Sequence, residues 1–416
     1  MTTADIATPS DHAARAHALV DAHNSTLRGT AMPVGVLTPL TLPGDPTAGE
    51  LVVRGAVLGA RYVSENPSQF SGRQVRLLLE NDQQTAHVEH MSRSAAGGMA
   101  KLVLLDEVSA VVGQWHLRTT PVVADLAERL GVPTFIENGH NTVTTGRKQL
   151  FRTYFSIADR APLMAGFAES RGWKRVAVIA ADTVFGQSLA DTVIEVFLDT
   201  IPGLEVFRAD FEQDGVTDLD APLSEAADFA PDVLINAGVV RTNYMVVESA
   251  RRCGLLPKIP MMACFPFPMR STDYWKLAGD AGAGVTWPAT RFSPDWPGLT
   301  PIGRWFAETH RTEFGSYPAD NALNAFTDIT VLAQAAALAG SSSRSSLHAA
   351  LESGSFRTWR GQVRFGPSTG TGHHNSPEIA LMHYQNVGDS VDKAVVVWPP
   401  EQATGEFRHP SLTNTP

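Results

Sequence analysis

The chain has 416 residues, of which 43% are hydrophobic and 18% charged, and its formal net charge at neutral pH is -10. This length exceeds that of one ordinary domain and predicts two, each with its own core. The 43 acidic and 33 basic residues are scattered along the chain. Because nucleic acids are bound by concentrated basic surfaces, this distribution disfavours a nucleic-acid partner.

Residues 1–31 contain no apolar run of the length that a secretory signal needs. No later stretch reaches the roughly 18 uncharged apolar residues of a membrane helix. We therefore expect no membrane insertion, with a cytoplasmic location as written and a periplasmic or extracytoplasmic one if a leader has been removed. Apolar residues at helical spacing over 11–26 predict a helix in an N-terminal extension of residues 1–32.

Short apolar runs and helical patterns then alternate along the chain. In the first half they predict strands at 34–37, 75–80, 110–112 and 134–136, and helices at 51–64, 86–104 and 121–130. The pattern restarts after residue 153, with strands at 175–180, 204–209, 232–236 and 261–263, and helices at 162–171, 188–198, 219–229 and 244–253. Strands regularly separated by helices imply right-handed crossovers. The predicted fold is therefore α/β, with two lobes that are each a doubly wound parallel sheet.

The usual catalytic and cofactor motifs are missing. The chain has no G-x-x-x-x-G-K-[ST] phosphate loop, no G-x-G-x-x-G after the first strand and no G-x-S-x-G nucleophile turn. We therefore expect no enzyme activity, no catalytic residues and no cofactor.

Histidine and cysteine patterns give no metal site. His87 and His90 lie three apart on a predicted helix and are interpreted as part of a solvated face, while the adjacent His373 and His374 point apart in an extended loop. The two cysteines, Cys253 and Cys264, are expected to be buried thiols, with one disulfide left open. His116 and His140 follow strands of the first half, and position alone leaves two interpretations open: walls of a binding cleft or polar loop residues.

A family resemblance rests on motifs spread over nearly the whole chain. They are VGVLTPLTLPG (34–44), LLLENDQ (77–83), AVVGQWHLRTTPVVADLAERLGVPTF (110–135), LFRTYF (150–155), RGWKRVAVIAADTVFGQSLAD (171–191), PDVLINAG (231–238) and VVWPPEQATGEF (396–407). In this order and spacing the chain resembles the type 1 periplasmic-binding-protein family. The nearest likenesses are the branched-chain amino-acid binding proteins of ABC transporters and the cytosolic amide sensor of amidase operons.

The resemblance implies an architecture of two lobes joined by a three-stranded hinge. Lobe 1 would comprise residues 33–152 plus 288–377, and lobe 2 residues 153–287 plus 378–416. The crossings would fall near 152–153, 285–288 and 376–378.

The resemblance also implies a function. The protein would be a non-catalytic small-molecule binder whose lobes close on a small organic ligand, as the substrate-binding component of an ABC-type uptake system with a permease as partner. The alternative is a cytosolic ligand sensor that acts through a regulatory protein, and a remote alternative is an enzyme on a doubly wound fold. The oligomeric state, including a homodimer, is left open.

Binding positions carry over from the family at strand ends. The implied ligand contacts are Trp115, His116, Leu117, Asn138, Gly139 and His140 in lobe 1, and Asp182, Phe185, Val239, Arg241, Phe265 and Trp287 in lobe 2. Where amino-acid binders of the family place a carboxylate for the ligand ammonium, this chain has Cys264 and Phe265. A buried ammonium without a counter-charge would cost several kcal/mol. An aromatic or apolar carboxylate or amide is therefore favoured over a plain amino acid, although Asp182 could compensate.

Overall fold

The computed structural model of the protein describes residues 9–85, 87–239, 241–270, 274–290, 292, 294, 296, 298–366 and 372–408. The chain divides into two compact units. Unit 1 comprises Met1–Phe155 and Phe292–Pro377, and unit 2 comprises Ser156–Arg291 and Glu378–Pro416.

The helices within the described residues are α1 (Pro9–Ser25), α2 (Pro46–Glu65), α3 (Met91–Ala100), α4 (Thr120–Leu130), α5 (Ile157–Ser170), α6 (Val184–Thr200), α7 (Asp220–Asp228), α8 (Thr242–Arg252), α9 (Phe267–Arg270), α10 (Tyr274–Ala278), α11 (Pro301–Phe314), α12 (Asp320–Ala339) and α13 (Arg344–Ser353). The strands are β1 (Met32–Thr38), β2 (Val75–Asn81), β3 (Ala110–Gln114), β4 (Thr134–Ile136), β5 (Leu150–Arg152), β6 (Arg175–Ala181), β7 (Glu205–Phe211), β8 (Val233–Ala237), β9 (Met261–Ala263), β10 (Val285–Thr290), β11 (Phe356–Thr358), β12 (Gly361–Val363), β13 (His373–His374), β14 (Ile379–His383) and β15 (Val395–Trp398).

Unit 1 is built on a parallel sheet with the strand order β13-β5-β4-β3-β1-β2. Apolar residues of α2 and α12 belong to one buried cluster with alternate residues of β1 and β3, and those of α3 and α4 form a second cluster with the others. Helices therefore cover both faces of the sheet, which is why its strands carry nearly continuous apolar runs.

Unit 2 is built on a sheet with the order β15-β14-β10-β9-β8-β6-β7. The strands β7, β6, β8, β9 and β10 are parallel. At one edge of the sheet β14 pairs antiparallel with β10, and β15 pairs antiparallel with β14. The predicted doubly wound α/β class is confirmed, with this antiparallel edge as an addition that the strand–helix alternation did not predict.

Two local predictions needed correction. The helix expected over 86–104 begins at Met91, after a 3₁₀ turn at Val88–His90, and continues as a π-helical turn at Lys101–Leu105. The middle crossing was placed at 285–288, but β10 pairs along its length with β14 in unit 2, so the chain changes unit only after residue 291.

Close packing of α2 against α12 depends on glycine. A Cβ atom on Gly55 would lie 2.2 Å from the carbonyl oxygen of Ala322, so only glycine allows the two helices to approach this far. Within the described residues α12 is the one helix long and apolar enough to cross a membrane, and 78% of that stretch is buried inside the fold. Such burial is typical of a core helix.

The N-terminal helix α1 packs on unit 1. Val20 is buried in the unit 1 core, and the buried Glu50 of α2 contacts His12 at 2.6 Å and Arg15 at 2.7 Å. Burial alone would raise the pKa of Glu50, but hydrogen bonds from His12 and Arg15 and the charge of Arg54 lower it to about 2. An ionised Glu50 therefore joins α1 to α2.

Both cysteines are free thiols. Cys264 is buried as expected, whereas Cys253 is only partly buried. Burial raises the pKa of Cys264 to about 12, against a smaller opposing effect of Arg160. Cys264 is therefore a neutral thiol at physiological pH and a poor nucleophile.

Candidate functional site

In unit 1 the carboxyl ends of β1 to β5 lie along one edge of the sheet, which we call the unit 1 edge. Asn81 joins two loops at this edge: its Oδ1 accepts hydrogen bonds from the backbone N–H groups of Leu40 and Gln83, and its Nδ2 donates to Thr41 Oγ1. Open parallel sheets bind ligands outside this end of their strands. The unit 1 edge is therefore a candidate ligand site.

The buried carboxylate of Asp82 lies directly after β2, at the unit 1 edge. Asp82 Oδ2 accepts hydrogen bonds from Gln114 Nε2 at 2.7 Å and from Thr119 Oγ1 at 3.0 Å, and Gln114 Oε1 accepts from Thr120. Burial raises the pKa of Asp82 to about 6, although the hydrogen bonds from Thr119 and Gln114 oppose the shift. Among the described residues Asp82 Oδ1 has no partner. This network orients the residues between β3 and α4.

Trp115, His116 and Leu117 occupy that segment, as predicted from the sequence. Trp115 is half-buried against the unit 1 core, and its ring centroid lies 5.6 Å from that of His116. Burial lowers the pKa of His116 to about 4, helped by the charge of Arg118, so the ring is neutral at physiological pH. Because His116 Nδ1 accepts the N–H of Arg118 at 3.3 Å, the ring proton must lie on Nε2. His116 therefore presents an N–H donor.

Asn138, Gly139 and His140 follow β4 at the same edge. The buried guanidinium of Arg152 donates to the carbonyl oxygens of Asn138 at 3.0 Å and of His140 at 2.7 Å, while Asn138 Oδ1 accepts the N–H of His140. These contacts hold the loop in one conformation. Within the described part of the chain, Gly139 N–H makes no hydrogen bond. The loop thus retains a backbone donor for a ligand.

His140 repeats the chemistry of His116. Burial, followed by the charge of Arg152, lowers its pKa below the ordinary value of 6.5. Its Nδ1 accepts from the backbone and hydroxyl of Thr142, which leaves its proton on Nε2. Both histidines at the unit 1 edge are therefore neutral donors.

The helix α12 has a polar face that was not predicted from the sequence. Asn321 Nδ2 donates to Glu137 Oε2 at 2.8 Å, and Thr153 Oγ1 donates to Asp328 Oδ1 at 2.7 Å. Burial raises the pKa of Asp328 to about 8, although Thr153 and the charge of Arg360 oppose the shift. Asp328 is therefore largely protonated at neutral pH. Polar residues recurring on one face of an otherwise apolar helix were the signal in the sequence.

In unit 2 the carboxyl ends of β6 to β10 define a corresponding unit 2 edge. Gln213 connects its loops: its N–H donates to Asp182 Oδ1 at 2.9 Å, and its Oε1 accepts from Thr242 Oγ1 at 3.0 Å. Asp182 and Arg241 are exposed, whereas Val239 is buried. The carboxylate of Asp182 thus lies in solvent and orders the loop after β7.

Two phenylalanines pair at the unit 2 edge. Phe185 lies in the first turn of α6 and its ring centroid is 5.2 Å from that of Phe265, which follows β9. The turn that leads into α6 requires Gly186, since a Cβ there would lie 2.3 Å from the carbonyl oxygen of Ala181. Phe185 is buried and Phe265 half-buried, so the pair presents an apolar surface.

Behind the phenylalanine pair lies a buried cation that the sequence analysis did not single out. Arg160 of α5 is fully buried and donates to the carbonyl oxygens of Ser156 at 3.2 Å and Cys264 at 2.6 Å. Its guanidinium carbon lies 5.2 Å from the ring centroid of Phe265. The end of β9 is therefore positively charged and aromatic.

Trp287 differs from the other predicted residues. It is fully buried within unit 2, with its ring centroid 4.7 Å from that of Tyr384. Its Nε1 makes no hydrogen bond to a described residue. Trp287 is part of the unit 2 interior, because β10 is a central strand of that sheet.

The structure thus places all six predicted lobe 1 residues at the unit 1 edge, and Asp182, Phe185, Val239, Arg241 and Phe265 at the unit 2 edge. Their role in ligand binding stays a prediction. A family model of the periplasmic binding proteins matches residues 31–388 of the chain. The chain belongs to this family. The resemblance drawn from the motifs is therefore confirmed.

Solved structures share the fold of this binding protein. A leucine-binding protein, LivK, from Thermotoga maritima has a TM-score of 0.73 and 23% identity, over 86% of this chain and 97% of its own. The isoleucine complex of LivJ from Streptococcus pneumoniae has a TM-score of 0.73 and 18% identity, over 89% and 100%. A solute-binding protein of an R. palustris ABC transporter, in complex with benzoate, has a TM-score of 0.70 and 18% identity, over 88% and 96%.

None of the curated protein sequences matches the chain significantly. The family is that of the periplasmic binding proteins, which supports a substrate-binding function and does not support the regulatory-sensor alternative. The family is one of solute-binding rather than catalytic proteins. These comparisons do not identify the ligand of this chain, which is inferred from its own residues.

Proposed function

We propose that this protein is the substrate-binding component of an ABC-type uptake system that takes an aromatic or apolar carboxylate, or the corresponding amide. The proposal places it outside the cytoplasm, where it delivers its ligand to a membrane permease. The observation that carries the ligand class is the Phe185–Phe265 pair with Arg160 directly behind it.

The unit 2 edge disfavours an ammonium ligand. Residues 264–270 contain no acidic side chain, and Arg160 already places a positive charge beside Phe265. The exposed Asp182 is the acidic side chain among the predicted contacts, and a carboxylate in solvent is a weak counter-charge for a buried ammonium. An amino acid would therefore lose several kcal/mol that its deaminated counterpart does not lose.

The unit 1 edge favours ligand oxygen atoms. His116 and His140 are neutral and offer Nε2–H donors, and Gly139 offers a backbone N–H. Such donors suit a carboxylate or an amide carbonyl, both of which accept hydrogen bonds. Trp115 adds a large aromatic surface beside them. Few polar groups on largely apolar walls are typical of small-molecule sites.

The neighbouring structures are compatible with this ligand class. The R. palustris protein was solved with benzoate, so the fold accommodates an aromatic acid, while the S. pneumoniae protein was solved with isoleucine. Because of Phe265 and Arg160, we expect this chain to bind an aromatic acid, as the R. palustris protein does.

The proposal also holds that the ligand is bound without being converted. Cys264, the thiol nearest the proposed contacts, is kept protonated by burial. Incubation of the protein with its ligand should return the ligand chemically unchanged, as mass spectrometry would show.

A thermal-shift screen tests the proposal. A ligand bound only by the folded protein raises the unfolding temperature. Benzoate, benzamide and related aromatic acids and amides should raise it more than leucine or glutamate at the same concentration. Leucine as the strongest stabiliser would contradict the assigned ligand class.

A further inference from the structure

Three potential metal ligands, two from α13 and one from β13, meet in unit 1. His373 Nε2 lies 3.0 Å from Glu352 Oε1, and His348 Nδ1 lies 3.7 Å from Glu352 Oε2. The ligand atoms of His348, Glu352 and His373 all lie within 4.8 Å of one another. A tetrahedral ion with bonds of about 2.1 Å holds its ligand atoms roughly 3.4 Å apart. The observed spacing is therefore compatible with a shared metal ion.

In the rings of His348 and His373, the nitrogen that faces away from Glu352 is hydrogen-bonded to a backbone carbonyl. His348 Nε2 lies 2.9 Å from the carbonyl oxygen of Lys148, and His373 Nδ1 lies 3.2 Å from that of Leu150. A carbonyl oxygen only accepts, so each of these two nitrogens carries a hydrogen. His373 Nε2 also faces an acceptor, Glu352 Oε1, and would give up its hydrogen on binding an ion. In each ring the opposite nitrogen faces Glu352. Metal-binding histidines typically donate their other N–H to a carbonyl or carboxylate in this way, which fixes the tautomer that can bind the ion.

Local structure explains how the three side chains are positioned. His348 and Glu352 are four residues apart on α13 and so share one helix face. His373 is fully buried and stacks on Phe151, with ring centroids 4.3 Å apart. The preceding Gly372 has φ +77°, and a Cβ there would lie 2.2 Å from the carbonyl oxygen of Thr144. Glycine at 372 thus allows the chain to bring His373 to α13.

The sequence analysis rejected a metal at His373 and His374 because adjacent side chains point apart. That argument holds for the pair itself: His374 turns instead to Arg152 Nη2 at 3.1 Å and to the carbonyl oxygen of Tyr154 at 3.0 Å. His348 and Glu352 lie on α13, more than twenty residues before His373, so the pair of adjacent histidines does not reveal them.

We propose that His348, Glu352 and His373 form a site for a divalent transition-metal ion, with Zn²⁺ as the best match. Two imidazoles and one carboxylate suit zinc, and side-chain exposures of 19% for His348 and 33% for Glu352 leave room for water as the fourth ligand. The ion would join α13 to β13. Shortly after β13, at residue 377, the chain leaves unit 1 for the last time. The site is independent of the organic ligand.

Calorimetric titration of chelator-treated, full-length protein with ZnCl₂ tests the site. We expect one equivalent of zinc to bind and to raise the unfolding temperature. Glu352→Gln keeps the shape of the side chain and an acceptor for His373 while removing the anionic ligand, and His348→Gln removes one imidazole. Each variant should bind zinc at least about tenfold more weakly.

A matched control is available at the surface. His87 and His90 are exposed, with ring centroids 5.6 Å apart, and the double variant H87Q/H90Q removes two histidines outside the proposed site. It should bind zinc as the unchanged protein does. Loss of zinc binding in this control, or unchanged binding in E352Q and H348Q, would overturn the proposal.

Zinc-soaked crystals of the unchanged protein give a readout that does not depend on any variant folding. An anomalous peak at the zinc edge bounded by His348, Glu352 and His373 is expected. A peak elsewhere only, or no binding in the titration, would show that the cluster is an ion pair and would overturn the site. Failure of the organic-ligand screen would leave this result unaffected, since the two experiments use different probes.

Discussion

Arg160 and Phe265 are joined at the end of β9: the guanidinium carbon lies 5.2 Å from the ring centroid, and Arg160 Nη1 donates to the carbonyl oxygen of the preceding residue, Cys264, at 2.6 Å. A buried cation thus holds the aromatic side chain and the strand end in place. The pairing has direct consequences for binding at the unit 2 edge.

Phe265→Ala should weaken the binding of an aromatic acid by about 2 to 4 kcal/mol, the usual effect of truncating a central aromatic contact. Calorimetric titration of the best ligand from the screen would measure it. The matched control is Phe207→Ala, which truncates another paired phenylalanine of unit 2, 5.8 Å from Phe229 and away from the strand ends. Equal affinities of F265A and the unchanged protein would contradict a role for Phe265.

Trp115→Ala should weaken binding by a similar amount, about 2 to 4 kcal/mol, while the protein remains folded, because Trp115 is only half-buried. Trp305→Ala is the control, since Trp305 is also partly buried against the unit 1 core but lies on α11. W305A should lower the unfolding temperature and keep the affinity. Tight binding by W115A would remove Trp115 from the site.

Asp328→Asn should flatten the pH dependence of stability above pH 6.5. The pKa of Asp328 in the folded protein is about 8 against an ordinary 3.8, so between these values the folded state holds a proton that the unfolded state has lost. The stabilisation is complete below pH 3.8 and is lost as the pH rises through 8. The buried histidines His116, His310 and His383, whose folded pKa is about 4, make stability rise with pH through about 6.5. Both proteins carry them, so the difference between D328N and the unchanged protein isolates Asp328.

Thermal unfolding at pH 6.5 and 8 would measure this effect. Relative to D328N, the unchanged protein should lose about 1 kcal/mol per pH unit, or roughly 2 to 4 °C. D328N should lose much less, because an amide still accepts the hydrogen bond from Thr153 without titrating. Parallel curves for the two proteins would show that Asp328 is already ionised at pH 6.5.

Glu50→Gln should destabilise the protein by roughly 3 kcal/mol at pH 7, since it removes the buried ionic partner of Arg15 and Arg54. The pKa of Glu50 is about 2 in the folded protein against an ordinary 4.5. Its contribution is therefore present above pH 4.5 and is lost as the pH falls towards 2, so the two proteins should converge in acid. Urea unfolding at pH 7 and pH 3 would show this.

The control for Glu50 is Glu65→Gln. Glu65 pairs with Arg61 one turn away on the same helix, and both side chains are more than one-third exposed. An exposed pair of this kind contributes within about 1 kcal/mol. A loss from E65Q as large as that from E50Q would contradict the assigned joining role of Glu50.

Much of the fold could be predicted because its signals are local. The apolar run at 175–180 and the helical spacing of 121–130 each lie within one element, and both appear as predicted in β6 and α4. The strands β5 and β13, of three and two residues, were not predicted, and β13 is held by its pairing with β5.

The candidate site divides in the same way. Phe185 and Phe265 follow strands directly, so strand order alone places them at one edge. Arg160 and Asp328 lie within helices, and their partners, Cys264 and Thr153, are more than one hundred residues away in sequence. Trp287 was wrongly grouped with the strand-end residues, because the sequence pattern does not distinguish an aromatic residue at a strand end from one in the interior of a sheet.

The most direct test of the central claim compares ligands that differ only in the amino group. Calorimetric titration with 3-phenylpropionate against L-phenylalanine, and with 4-methylpentanoate against L-leucine, isolates the ammonium while keeping the carboxylate and the apolar part. The account predicts that the deaminated acid binds at least about thirtyfold more tightly in the better-bound pair, which corresponds to about 2 kcal/mol. Tighter binding of the amino acid in both pairs would contradict it.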